Sequence, residues 1–388
     1  MTAQPASEGE AVPDACRRVV MVAVGELFAG AERQILALLA HLRADGCHPT
    51  LAVFHDHELA RRAREAQLEV VVLPGTGPLR MEAVERIAEL VRSTCAEVVH
   101  FHGYKAALHV ALARRQVWFG SVATIHGAPE FSGPLSGRLR AWAYNRCERW
   151  AIRATRARIV FVTRELVKKL PGLARTGPYE VIPNGVDPET VAHLSRPGEL
   201  DPAHFNVVIV GRLETVKGIT FAIEALRDSK IPSTVRLWIV GEGPERSNLE
   251  NQVTVAGLQQ RVLFAGFRKD AVAFIAHADL LLMPSLHEGL PYTMLEALAA
   301  GTPIAASRVG GLAETLEDRR TAYLFPAADA AAIAATVSAI TADPTAGKQT
   351  GQYAHRELFP RFNAAIMARG YEHIYAQVSS AKSHPAYP

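Results

Sequence analysis

The chain lacks the marks of most specialised protein classes. Its four cysteines, Cys16, Cys47, Cys95 and Cys147, stand far apart in 388 residues, with no CxxC pair and no histidine at zinc spacing. That pattern argues against a disulfide framework and a zinc module, and reads as reduced thiols in a cytosolic protein. An excess of one charge is also missing: 42 Lys and Arg against 39 Asp and Glu leave a net +3, too little to imply nucleic acid as a partner. No run approaches the roughly 20 apolar residues that a membrane span needs, and the Ala-rich stretch from Ala327 to Ile340 is broken by Asp329. The polar, acidic start has neither the basic opening nor the apolar core of a signal peptide, so residues 1–15 read as a flexible tail. These absences predict a cytoplasmic protein whose membrane contact, if any, is peripheral on the inner face.

What is present is ordinary globular material, 49% hydrophobic and 21% charged, at a length natural for two domains. Short β-branched runs alternate with helical patterns: Arg17 to Val24, Thr50 to Phe54, Glu69 to Pro74, Glu97 to His102, Ser121 to Gly127 and Ala157 to Thr163. The rhythm pauses over the polar, Pro-containing stretch from His193 to Phe205. It then restarts with Phe205 to Gly211, Val235 to Gly241, Arg261 to Gly266, Asp279 to Ser285 and Thr302 to Ser307. The predicted fold is α/β: two doubly wound, Rossmann-like domains over 16–190 and 205–360, a linker at 191–204, and a closing segment at 361–388. Its helix either packs on the second domain or crosses back to the first. Ligands of such sheets bind beyond the carboxyl ends of the strands, so two such domains imply a cleft between them.

The richest stretch is PSLHEGLPYTMLEALAAG, Pro284 to Gly301. It sets Glu288 in a Gly/Pro loop and Glu296 eight residues later on a helix whose first turn accepts Pro291. Alone, each glutamate reads as a helix-end acid or a solvated one. A hydrolase pair is disfavoured, because eight residues of helix rise about 12 Å and hydrolytic carboxyls stand roughly 5 to 9.5 Å apart, although a folded-back loop leaves it open. Upstream, GRLETVKG places Arg212 and Lys217 after a strand, a fork and a point charge suited to an anion. GEGPER, from Gly241 to Arg246, lets backbone approach a ligand but fails as a dinucleotide fingerprint, and Gly25 to Gly30 lacks the Lys-Ser/Thr of a phosphate loop. His100 and His102, and the run His55-Asp56-His57-Glu58, find no third metal ligand and read as solvated strand ends. No Asp-x-Asp occurs, so no metal and no cofactor is expected; cations and helix N-termini would neutralise charge instead.

In order and spacing, PNGVD (Pro183 to Asp187), GRLETVKG, GEGPER, LFAG (Leu263 to Gly266) and HEGLPYTMLEALAAGTPIAASRVGG (His287 to Gly311) resemble the retaining GT-B glycosyltransferases of family 4. The resemblance covers most of the chain. It implies two Rossmann-like domains facing across a cleft, and transfer of a sugar from a nucleotide diphosphate sugar, the co-substrate, to an acceptor hydroxyl. By the same resemblance Arg212 and Lys217 would bind the diphosphate, and Glu288 would sit beside the sugar as an electrostatic group rather than a nucleophile. Glu296 would hold the ribose, Gly241, Gly289, Leu290 and Pro291 would line sugar and phosphate, and Phe267 with Arg268 would neighbour the base. Gly30, in AGAERQIL from Ala29, resembles the glycine-rich loop of the first domain, with Ala29 where the family has a second glycine. His126 matches the histidine that reaches the transferred sugar; by itself it reads as a strand-end histidine satisfied by backbone.

Acceptors of this family fit a glycan, a lipid-linked sugar or a small molecule, in cell-surface glycan, glycolipid or other polysaccharide biosynthesis. Between Arg138 and Arg158, seven arginines against one acid alternate with Trp142, Tyr144 and Trp150. That helix is either solvated with its tryptophans inward or a dock for an anionic membrane surface. A nucleotide-sugar epimerase of the same fold, or an inactive nucleotide-sugar binding protein, are the other readings. Intact Arg212, Lys217, Glu288 and Glu296, with Gly310-Gly311 downstream, favour transfer.

Overall fold

The structure is a computed structural model that describes residues 18–380 apart from Leu27, Ala29, Thr76, Pro78 and 128–134. The side chains of 135–142 and of residue 380 also lie outside the description, as do the tail expected at 1–15, Cys16 and the loop position Ala29. The chain divides into two units. The first takes in the chain up to Val162, Leu166–Ile182 and everything from Ala365 on; the second comprises Thr163–Glu165 and Pro183–Ala364.

In the first unit seven parallel strands form one sheet: β1 (Arg18–Ala23), β2 (His48–Val53), β3 (Glu69–Val72), β4 (Val98–His102), β5 (Gly120–Ile125), β6 (Arg158–Phe161) and β7 (Tyr179–Val181), in the order β3-β2-β1-β4-β5-β6-β7. Every residue of β4 and β5 is buried. Their apolar runs do not alternate because helices cover both faces of a parallel sheet. The second unit holds β8 (Phe205–Val210), β9 (Val235–Val240), β10 (Val262–Gly266), β11 (Leu280–Met283), β12 (Ile304–Ser307) and β13 (Tyr323–Phe325), ordered β10-β9-β8-β11-β12-β13. Both sheets are doubly wound, as expected. In each the winding direction reverses once, between β1 and β4 and between β8 and β11, and that reversal opens a crevice beyond the strands' carboxyl ends. Strands β7 and β13 were not anticipated; at three residues each they carry too little apolar pattern to read.

The stretch expected as a linker at 191–204 is part of the second unit. Leu200 is buried with Val208, Val240 and Phe274, and the Leu194 carbonyl accepts from His277 Nε2 at 2.8 Å. The change of unit falls earlier, between Ile182 and Pro183. The last helix, Ala364–Ser380, packs into the first unit: Met367, Ala368, Tyr371, Ile374 and Tyr375 join the core of Val19, Met21, Ile35 and Leu38. Those positions fall three, four and seven residues apart, which places them on one face of the helix. Among the described residues no helix is long and apolar enough to cross a membrane.

Because Ile374 is fully buried in that core, Ile374→Ala should cost about 2–5 kcal/mol. Scanning calorimetry of the full chain should show one transition moving down and the transition of the second unit staying in place.

Candidate active site

Beyond the carboxyl ends of β8 and β9 the second unit brings main chain against main chain. Gly241 has φ +139°, and a Cβ built on it would meet the Gly211 carbonyl oxygen at 1.9 Å. Only glycine admits that approach. The two loops are laced together by Gly211 N–H to Val240 O at 3.0 Å, Leu213 N–H to Glu242 O at 2.9 Å and Glu245 N–H to Leu213 O at 3.0 Å. Gly311 repeats the arrangement on the other side of the sheet: a Cβ there would fall 1.7 Å from the Gly289 carbonyl oxygen, and its N–H donates to Glu288 O at 3.1 Å.

The crevice between β8 and β11 is where the loops meet. Lys217 Nζ donates to Glu288 Oε1 at 2.7 Å, and Ser285 Oγ donates to the same oxygen at 2.7 Å. Glu288 is 8% exposed, so its charge is held by two donors in a half-dry setting where losing either is costly. Glu296 is more deeply placed, at 2% exposure on the helix Tyr292–Ala300. The reading of a solvated helical glutamate is therefore overturned, since that helix is buried on most of its faces. Pro291 stands one residue earlier than expected, as the N-cap. The Leu290 carbonyl accepts from Asn184 Nδ2 at 3.1 Å, while the buried Asn184 Oδ1 has no partner among the described residues.

Other expected residues are less tightly gathered. Arg212 is about half exposed and pairs with Glu214. Phe267, following β10, is 69% exposed. Its neighbour Arg268 is bound to Glu199 at 2.6 Å and Asp270 at 2.9 Å. Those carboxylates raise the guanidinium pKa, Asp270 foremost, so any ligand contact by Arg268 must share its donors.

In the first unit Gly30 opens the helix Gly30–Ala44 after β1, and His126 follows β5. His126 is not satisfied by backbone among the described residues, as a strand-end histidine would be: its Nε2 shares a hydrogen bond of 2.9 Å with His102 Nδ1, and its buried Nδ1 has no partner there. His100 and His102 are likewise not solvated strand ends, since both are buried. His100 bonds Tyr375 OH and Thr124 Oγ1, each at 2.7 Å; Thr124 Oγ1 meets Tyr371 OH at 2.9 Å; and Gln34 Nε2 donates to that hydroxyl at 2.7 Å. Burial pushes His126 down to about 4 and His100 to about 3, and drives His102 well below its usual value with the neighbouring histidines adding to the effect. The imidazoles are neutral, so each can donate through one ring nitrogen and accept through the other. Among the described residues no group of three or more His, Cys, Asp or Glu side chains is arranged to hold a metal.

A family model described as "Glycosyltransferase Family 4" matches residues 28–190, and one described as "Glycosyl transferases group 1" matches 204–343. The chain is 31% identical over 304 residues to a glycogen synthase of Mycobacterium tuberculosis, covering 76% of this chain and 72% of that one. It is 32% identical over 316 residues to a 2-deoxystreptamine N-acetyl-D-glucosaminyltransferase of Streptomyces fradiae, covering 76% and 74%. The chain is a group 1, family 4 glycosyltransferase. The glycosyltransferase is also similar in fold to Anabaena HepE solved in complex with UDP, with a TM-score of 0.79 and 19% identity over 93% of this chain and 100% of that one. Its architecture is GT-B. The family 4 match takes in Gly30 and His126; the group 1 match takes in Arg212, Lys217, Gly241, Glu288 and Glu296. Ser285 and Asn184 went unread in the sequence although each lies within a quoted motif or three residues of Glu288. Gln34, Tyr371 and Tyr375 offered no local signal, because their partners are hundreds of residues away.

In this glycosyltransferase Gly241→Ala should displace the Gly211 loop, which carries Lys217, and abolish most activity, and hydrogen exchange should show the 211–218 loop loosened. Acid should weaken the first unit. In the unfolded chain the three histidines titrate near 6.5, so their contribution is whole above that pH and is lost as pH falls toward 4. The loss reaches about 1.4 kcal/mol per pH unit for each histidine that titrates. Urea melts between pH 7.5 and 4.5 measure the slope.

Proposed function

We propose that the glycosyltransferase moves a sugar from a nucleoside diphosphate sugar to an acceptor hydroxyl with retention of anomeric configuration. Its donor would bind at the β8/β11 crevice of the second unit. The observation that carries this reading is the junction of Lys217, Ser285 and Glu288, which brings a cation into direct contact with a fixed carboxylate at the sheet's switch point. Lys217, with Arg212, would meet the charge that grows on the departing diphosphate. Glu288, already bound by two donors, serves as a positioning and electrostatic group for the sugar rather than as a nucleophile. Glu296 takes the ribose hydroxyls, and the exposed ring of Phe267 offers a face for the base. Gly241, Gly289, Leu290 and Pro291 supply the close wall. In the first unit His126 Nδ1, unpartnered among the described residues, would bond a hydroxyl of the transferred sugar, and Gly30 would lie against phosphate.

In the step itself the bond from the anomeric carbon to the β-phosphate oxygen breaks and a bond to the acceptor oxygen forms on the same face. The acceptor's proton passes to the leaving phosphate oxygen. Because the leaving charge is met by side chains, the reaction needs no divalent cation, and activity should persist in EDTA. HepE is also solved in complex with UDP-glucose, and one relative is named an N-acetyl-D-glucosaminyltransferase, which makes UDP-linked glucose and N-acetylglucosamine the first donors to try. The acceptor is a glycan, a lipid-linked sugar or a small molecule in surface-glycan, glycolipid or other polysaccharide synthesis.

Trp150 and Tyr144 are about two-fifths exposed on the helix Leu135–Thr155, so Trp150 does not pack inward as a purely solvated helix would have it. That exposure supports peripheral contact with an anionic membrane on the cytoplasmic side; Arg138, Arg140 and Trp142 lie outside the described side chains.

Arg212→Ala and Lys217→Ala should each lower kcat by roughly 100- to 1,000-fold, read as initial rates with UDP-, GDP- and ADP-sugars. Wild-type rates in both variants would reject the assignment. NMR of the product anomeric proton tests retention: a product of inverted configuration would show that the stereochemical part is wrong.

A further inference from the structure

The carboxyl ends of β2 and β4 in the first unit hold a second gathering of charge that the donor reading does not use. Lys105 lies in the first turn of the helix Gly103–Ala113, a turn with no acidic residue. A cation there opposes the positive end of the helix dipole. Its Nζ stands 5.0 Å from the centre of the Phe54 ring and 3.5 Å from His55 Nε2. Arg80 approaches the same ring, its Cζ at 5.5 Å, and donates from Nη1 to the Phe54 carbonyl at 3.2 Å. Among the described residues neither cation makes an ion pair with a carboxylate. The acid that acts on Lys105, Glu26, is exposed, and its pull is weaker than the opposing effects of burial and of Arg80.

The cations are held in place by a buried histidine. His109 Nε2 accepts the Arg80 backbone N–H at 3.0 Å, so its Nδ1 carries the proton and donates to the Lys105 carbonyl at 2.7 Å. One neutral imidazole thus fixes the backbones of both cationic residues to each other, with its edge on Phe54 at 4.7 Å between centroids. Two like charges on one aromatic ring, one of them against the helix dipole, repel each other and lose hydration with neutral acceptors but no carboxylate paired to them among the described residues. An anion placed between them relieves all three costs. The position is the crevice at the β1/β4 reversal, where a doubly wound sheet binds ligands.

We propose that Lys105 and Arg80 form an anion subsite for the acceptor, which therefore carries a phosphate or a carboxylate beside the hydroxyl that receives the sugar. The proposal rests on reading the first unit as the acceptor side. A cationic acceptor would be repelled, and a neutral glycan would leave both charges unanswered.

Titration calorimetry of the full chain with inorganic phosphate tests it, in a Lys217→Ala background so that the proposed diphosphate site contributes little. Adding Lys105→Gln and Arg80→Gln should weaken phosphate binding roughly 10- to 100-fold, and Lys105→Arg should keep it. Near-UV circular dichroism confirms that each variant is folded. Flotation on phosphatidylcholine vesicles with and without phosphatidylglycerol separates the two sources of the anion. Loss of phosphate binding alone assigns a soluble anionic acceptor, and loss of flotation as well assigns one borne by a lipid. Unchanged phosphate affinity together with unchanged flotation overturns the subsite. These readouts involve no sugar transfer, so a failure of the donor reading, seen as full activity in Arg212→Ala and Lys217→Ala, leaves them interpretable.

Discussion

In the second unit the main chain of Gly241 lies where one added methyl group would come within 1.9 Å of the Gly211 carbonyl oxygen, and the geometry of the candidate site hangs on that contact. With no side chain between them, the loops after β8 and β9 lie closely against each other and the β8 loop keeps a single path. Lys217 then sits near the end of a short, well-anchored loop. Its ammonium reaches Glu288 from a loop whose backbone is anchored by hydrogen bonds. The same logic operates at Gly311 and Gly289 on the far side of Glu288. The charged pair is therefore framed by rigid main chain on both flanks, which lowers the reorganisation that a growing charge would otherwise demand.

The first unit is organised by a different force. Its sheet is closed by apolar burial, but a chain of polar groups runs through the core from Gln34 by way of Tyr371 and Thr124 to His100 and Tyr375. Such a network costs desolvation and contributes direction: each hydroxyl and ring has one arrangement that satisfies its neighbours. Beside it, His102 orients His126 by a single hydrogen bond. The open nitrogen of His126 is thus aimed by a buried support that acidification would disturb.

Much of the fold was legible because parallel strands buried on both faces print continuous apolar runs, and all but the two shortest strands were found that way. The glycine and charge spacing around Arg212, Lys217 and Glu288 was equally local, so it could be read. What escaped reading depends on partners far along the chain. His100 and His102 looked like wet strand ends because nothing nearby reveals Tyr371 and Tyr375, which come from the last helix. The polar stretch at 191–204 looked like a linker because a single buried leucine, Leu200, docks it. Glu296 looked solvated because helical spacing locates a side chain beside an apolar stripe without showing that the other faces are covered too.

The placement of the last helix bears on the order in which the molecule can be made. The first unit contributes most of the early chain, yet Met367, Tyr371, Ile374 and Tyr375 fill its core. During synthesis the second unit, whose residues are nearly all contiguous, emerges whole and can close while its predecessor still lacks a wall. Until the helix up to Ser380 has left the ribosome, the nascent first unit exposes an apolar groove and the stranded hydroxyl and imidazole partners of two absent tyrosines. The strands near the start of the first unit must wait for a helix about 340 residues further along the chain.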